Sequence, residues 1–93
     1  MDEFLRNGQS LLEAAHNRDE TGTLAILIGR DGSFRAIEHS DWPLESLAAE
    51  HGARMAYRVS KRGGNVRVEG RSGTRTLVLE QTLSDPHRKL QLW

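Results

Sequence analysis

The chain has 93 residues, enough for a single domain with one hydrophobic core, and its 37% hydrophobic content is that of a globular rather than a disordered protein. It contains no cysteine, which excludes disulfide bonds, thiolate metal ligands and a cysteine nucleophile. Thirteen basic residues balance thirteen acidic ones, and this neutral total argues against a protein that binds nucleic acid by charge alone. The longest apolar stretch is five residues (24–28), too short to cross a membrane, and no signal peptide is apparent, so we expect one cytoplasmic domain over residues 1–93.

An amphipathic helix is predicted over residues 2–18. Its apolar side chains recur three or four positions apart, the spacing that places them on one side of a helix. Gly8 lies on the same stripe, where it weakens the helix by about 1 kcal/mol relative to alanine but permits close packing. The stripe consists of Phe4, Leu11, Leu12 and Ala15.

A β-hairpin is predicted next. Residues 23–29 are rich in leucine and isoleucine, which is typical of a short strand buried on both faces. The Asp31-Gly32 pair predicts a two-residue type I′ turn, because both central residues of that turn need a positive φ. Residues 34–38 then return as the partner strand.

A second, shorter helix is predicted after Pro43, which suits a first helical position, and before Gly52, which suits a left-handed cap. Three strands follow, because apolar and polar residues alternate with a period of two and glycine-rich turns separate the runs. The inner residues of the helix are Leu44, Leu47 and Ala48, and those of the strands are Met55, Tyr57, Val59, Val66, Val68, Leu77 and Leu79.

The predicted order is therefore α-β-β-α-β-β-β, with a C-terminal segment that fits either a short helix or an extended strand. This order predicts an α+β fold in which helices pack on one face of a single five-stranded, mainly antiparallel sheet. In element order alone it is similar to profilin-like and roadblock-type domains, and more loosely to PAS-like sensors. No family motif accompanies the similarity, and a fold does not fix a function.

No residue pattern identifies a catalytic, cofactor-binding or metal site. The four histidines are scattered, and no pair has the i,i+4 spacing of a helical zinc site. His39, Ser40 and Asp41 are adjacent but lack a nucleophile elbow, so Ser40 or Asp41 is expected to cap the second helix instead. We predict no cofactor and no metal, and the sequence favours binding over catalysis without deciding whether the chain is an enzyme.

The charges are divided unevenly along the chain. Residues 1–52 carry ten acidic and four basic side chains (−6), whereas residues 53–93 carry three acidic and nine basic ones (+6). Either the halves neutralise each other, within one chain or across a dimer, or the basic half binds an anionic partner. Alternation places Arg54, Arg58, Arg67 and Arg71 outward on a two-stranded ribbon, with Lys61 and Arg62 at the turn between its strands. This ribbon is a candidate site for nucleic acid or another polyanion. The candidate residues are Arg58, Lys61, Arg62, Arg67 and Arg71.

The C-terminal residues Leu90, Leu92 and Trp93 are a candidate self-association surface, because a chain end rarely needs three large apolar groups. The alternative is that they complete the core of their own chain. We therefore expect a small non-catalytic interaction module that is homodimeric and binds a protein partner. Polyanion binding through the basic ribbon is the first alternative, and a small-molecule sensor is the second.

Overall fold

The computed structural model describes residues 2–17, 22–38 and 41–82, which contain two helices and five strands. The predicted α+β class, strand number and element order are confirmed. No helix in these ranges is long and apolar enough to cross a membrane. In chain order the elements are α1 (Glu3–His16), β1 (Gly22–Gly29), β2 (Phe34–Glu38), α2 (Leu44–His51), β3 (Ala53–Arg62), β4 (Asn65–Ser72) and β5 (Arg75–Thr82).

All five strands form one antiparallel sheet in the order β2-β1-β3-β4-β5, so β2 and β5 are the edge strands among the described residues. The ladder between β1 and β3 contains one irregularity. Ile28 pairs with Met55, and the next residue, Gly29, pairs with Ala53. Arg54 is therefore an extra residue on β3, and such a β-bulge redirects the side chain at that position.

The two helices pack on opposite faces of the sheet. α1 covers the face that contains Ile28, Tyr57 and Val68 (the α1 face), and α2 covers the face that contains Leu27 and Ala56 (the α2 face). The prediction that the helices share one face is wrong. The physical reason lies in β1, whose apolar residues are buried on both sides, as predicted, and therefore need a covering layer on each.

The turn between β1 and β2 also differs from its prediction. Gly32 donates to the Gly29 carbonyl at 3.0 Å, and Gly29 donates to the Ser33 carbonyl at 2.9 Å. With Gly32 at a φ of +85°, this pattern is a three-residue loop with a bulge rather than a two-residue type I′ turn. Asp31 fixes the loop by accepting hydrogen bonds from the Ser33 hydroxyl and amide, which lower the pKa of its carboxyl group.

Only the C-terminal end of α2 agrees with the prediction. Gly52 adopts the predicted left-handed conformation at a φ of +64° and ends the helix. At the start, Pro43 is the residue before the helix, and its carbonyl accepts from the Ser46 and Leu47 amides. No side chain caps this end, so the prediction that Asp41 does so is wrong, and Ser40 lies outside the described residues.

Candidate interaction surface

The uneven charge along the sequence is partly neutralised within the chain. Three ion pairs are formed among the described residues, and each joins an acidic residue of the first half to an arginine of the second half. The nitrogen–oxygen distances are 2.7 Å for Arg54–Glu3, 3.2 Å for Arg71–Glu45 and 3.1 Å for Arg75–Asp2. The helices thus supply carboxylates to arginines of the sheet, as the intramolecular alternative predicted.

Two of these ion pairs attach the start of α1 to the sheet. The bulge turns Arg54 toward α1, where its guanidinium binds both carboxylate oxygens of Glu3 at 2.9 and 2.7 Å. This contact lowers the pKa of Glu3 and raises that of Arg54. The carboxylate of Asp2 caps the helix by accepting from the Leu5 amide at 3.0 Å, and this bond, together with Arg75, lowers the pKa of Asp2.

The five residues of the predicted basic ribbon do not share one surface. Strand register places Arg58, Arg62, Arg67 and Arg71 on the α2 face, where α2 also packs. Lys61 lies on the α1 face, and Arg62 is exposed at the end of β3, beside the turn to β4.

Lys61 stabilises the end of α1. Its ammonium group donates to the carbonyl of Ala15 at 2.8 Å, and the His16 carbonyl lies 3.5 Å away. The last carbonyls of a helix have no partner within the helix, and a cation near them also interacts favourably with the helix dipole. Lys61 thus has a structural role within the chain.

A groove on the α2 face is lined by two of the other predicted cations, Arg58 and Arg71. It lies between the start of α2 and strands β4 and β5, with Arg58 of β3 at its base, and has a volume of about 380 Å³. The remaining lining residues come from three separate parts of the chain: Pro43, Leu44, Glu45, Glu69, Gly70, Arg71, Thr76, Leu77 and Val78. We call this feature the α2 groove.

Arg58 connects the groove to the segment before α2. One of its terminal nitrogens donates to the Trp42 carbonyl. Its Nε is buried and has no hydrogen-bond partner among the described residues. A buried donor without an acceptor costs free energy, so Arg58 is a candidate residue for binding an acceptor group of a partner.

Large apolar side chains are exposed at two places on the described surface. Val78 lines the α2 groove, and Trp42 is the residue directly before Pro43, the first lining residue in sequence. The residues Val78 and Trp42 are each 57% exposed. Phe34 is 76% exposed on β2, far from the groove in the order of the strands. None of these three residues was predicted from the sequence to form an interaction surface. A signal was present for Val78, because it alternates with Leu77 and Leu79 and therefore had to face away from α1.

Two further groups of residues considered from the sequence are not covered by the structure. Leu90, Leu92 and Trp93 lie outside the described residues, and so do His39 and Ser40. Within residues 2–17, 22–38 and 41–82, no three His, Asp or Glu side chains form a group that could hold a metal ion.

Comparison with known proteins gives no relative, since no family model, no curated protein and no solved structure matches the chain. The similarity to profilin-like and roadblock-type domains therefore stays one of element order. The function is therefore inferred from three features of the chain itself: the α2 groove, the exposed apolar residues and the edge strands.

Proposed function

We propose that the chain is a non-catalytic cytoplasmic interaction module that acts as a homodimer and binds a protein partner in the α2 groove. The observation that carries the partner site is the combination of an exposed Val78 with the buried, unpartnered Nε of Arg58 in one groove. Protein interfaces typically combine an apolar centre with a few directed hydrogen bonds. The groove fits an extended segment that places an apolar side chain on Val78 and an acceptor oxygen at Arg58.

The charges of the groove favour a protein segment over a polyanion. Glu45 forms an ion pair with Arg71, and Glu69 lies directly opposite Arg58 in the strand register. Carboxylates beside each arginine repel a phosphate backbone, whose binding depends on unneutralised cations. Lys61 is directed to the end of α1, which further reduces the basic surface predicted from sequence.

Polyanion binding nevertheless remains a separate prediction, with Arg58, Arg67 and Arg71 on one face as its site. Arg67 is exposed, and Glu80 lies opposite it in the register. The small-molecule sensor would need a polar pocket enclosed between sheet and helix, whereas the α2 groove is open to solvent.

The partner site is tested by affinity capture from the source cells, in which protein and nucleic acid on the beads are measured together at low and moderate salt. Val78→Glu places a charge in the groove at an exposed position and should leave the fold intact. Ala49→Glu is the matched control, because Ala49 is exposed on α2 and does not line the groove. We expect one stoichiometric protein that survives moderate salt with the wild type and the control and is lost with Val78→Glu.

Three outcomes would contradict the proposal. Equal capture by Val78→Glu would place the partner elsewhere on the surface. Nucleic acid that disappears with salt, and with Arg58, Arg67 and Arg71 all changed to alanine, would establish the polyanion alternative. Beads that retain neither would leave the small-molecule sensor as the better hypothesis.

A further inference from the structure

The outer edge of β2 carries backbone groups without a partner among the described residues. Because the Gly29 amide bonds to the Ser33 carbonyl, these two residues are a hydrogen-bonded pair of the hairpin. Hydrogen-bonded and non-bonded pairs alternate along an antiparallel ladder. Three residues of β2 therefore direct their amides and carbonyls away from β1, toward the open edge. They are Phe34, Ala36 and Glu38.

The same three residues share the α1 face, and α1 does not cover them. α1 packs on β3, β4 and β5 and makes no contact with β2. The ring of Phe34 is therefore 76% exposed, and Ala36, the next residue on this face, is exposed as well. An edge strand that combines open backbone groups with an exposed aromatic ring is a surface for pairing with another strand.

We propose that β2 pairs with β2 of a second copy of this chain, around a two-fold axis midway between the two Ala36 residues. The inference deepens the proposed function and rests on its homodimer. A two-fold axis perpendicular to the sheet makes the paired strands antiparallel and keeps the α1 faces of both copies on the same side. With the axis at Ala36, every outward-directed residue of one strand meets an outward-directed residue of the other.

This register is complementary in its hydrogen bonds and its side chains. Phe34 lies opposite Glu38 of the second copy, Ala36 lies opposite its own equivalent, and each pair exchanges two amide-to-carbonyl bonds. The small side chains at the axis leave room for both phenyl rings, each diagonal to the alanine of the other copy. On the opposite face Arg35 meets Ile37, so no like charges stand directly opposite one another.

The second copy is favoured because self-pairing aligns every open backbone group of β2 and sets no like charges directly opposite one another. Any partner strand must bring open backbone groups opposite those of β2 and leave room for the ring of Phe34. A second β2 supplies both without any change. Each strand has five residues, so the interface is small, and we expect a weak dimer whose fraction rises with concentration.

The test is sedimentation velocity over a concentration series, with two variants at the axis. Ala36→Lys and Ala36→Glu each place two like charges opposite one another, and each should weaken the homodimer about fivefold. An equimolar mixture of the two variants places opposite charges across the axis and should restore dimerisation. Ala49→Lys, at an exposed position of α2, is the control and should match the wild type.

Each other result overturns the inference in a recognisable way. A wild-type dimer that neither Ala36 variant weakens would place the interface elsewhere, while the homodimer of the proposed function would stand. A mixture that stays monomeric would contradict the register centred on Ala36. A wild type that is monomeric throughout would overturn both the inference and the homodimer, whereas partner capture through Val78 would still be decided by its own experiment.

Discussion

The hydroxyl group of Tyr57 donates a hydrogen bond of 2.8 Å to the main-chain carbonyl of Phe4, which joins the middle of β3 to the first turn of α1. Tyr57 is fully buried, and its ring packs against that of Phe4 with the centroids 5.6 Å apart. A buried tyrosine needs a partner for its hydroxyl group, and this one is supplied by a residue 53 positions earlier. The contact thus fixes the position of α1 on the sheet.

Ionisation of Tyr57 should be suppressed in the folded protein. Burial disfavours the charged form and raises the pKa of Tyr57 to about 12. A raised pKa of this acid contributes stability that is complete below pH 10, the unfolded value, and is lost as the pH rises toward 12. Because Tyr57 is the only tyrosine, tyrosinate absorbance reports it alone. Titration with a midpoint near pH 10 in the folded protein would contradict this burial.

Removing the hydroxyl group tests the hydrogen bond separately. Tyr57→Phe keeps the ring in the core and leaves the second lone pair of the Phe4 carbonyl unpaired. We expect the free energy of unfolding in urea to fall by about 1 kcal/mol. Tyr57→Leu, which also removes ring contacts in the core, should cost about 3 kcal/mol. Equal losses for the two variants would mean that the hydroxyl group, not the ring, dominates.

Gly70 provides the space in which the Tyr57 ring lies. The two residues are opposite one another in the β3–β4 register. A Cβ atom at Gly70 would lie 2.9 Å from two ring atoms of Tyr57 and 3.1 Å from the ring of Phe4. Neither ring can bend away, so Gly70→Ala should lower the free energy of unfolding by about 2 kcal/mol.

Gly8→Ala is the matched control for Gly70. A Cβ atom at Gly8 would meet the end of the Leu77 side chain at 2.5 Å, but that methyl group can rotate away. Alanine also favours a helix by about 1 kcal/mol over glycine, which offsets the cost of the contact. We expect a change well below that of Gly70→Ala in the same urea unfolding experiment. If Gly8→Ala lowered the free energy of unfolding more than Gly70→Ala, the contact between Gly8 and Leu77 would be less able to adjust than the contact between Gly70 and Tyr57.

The two carboxylates at the start of α1 should make stability depend on acid pH. The pKa values of Asp2 and Glu3 are lowered in the folded chain, so their contribution is present above the unfolded values near 4 and is lost as the pH falls further. Glu3→Gln should therefore reduce the loss of unfolding free energy between about pH 6 and pH 3. Glu13→Gln, at an exposed position of the same helix, is the control and should retain the wild-type dependence.

The inner residues of the strands were predictable because each follows a strict alternation. Met55, Tyr57 and Val68 all occupy the core, as the period of two requires. The helices were wrongly predicted to share one face of the sheet, although the sequence of β1 indicated otherwise. A strand that is apolar on both faces needs a covering layer on each face, and helices on one face supply only one.

The α2 groove was not predictable from local patterns. Its lining comes from α2, β3, β4 and β5, and Arg58 approaches the Trp42 carbonyl only because the chain crosses the sheet between β2 and β3. Arg54 was expected to face outward by alternation, but a single extra residue in β3 turns it toward Glu3. A β-bulge shifts the alternation of side chains between the two faces of a strand, and the sequence gives no clear signal of where it occurs.

The C-terminal apolar residues give the last prediction, which stays independent of the β2 edge. If Leu90, Leu92 and Trp93 contribute to self-association, Trp93→Ala should lower the dimer fraction at a given concentration and leave the monomer as stable as before. Sedimentation and thermal unfolding over the same concentration series measure the two effects together. A fall in melting temperature that is equal at every concentration would instead assign Trp93 to the core of its own chain. Combining Trp93→Ala with Ala36→Lys then shows whether the two surfaces stabilise one dimer, because changes at coupled positions do not add.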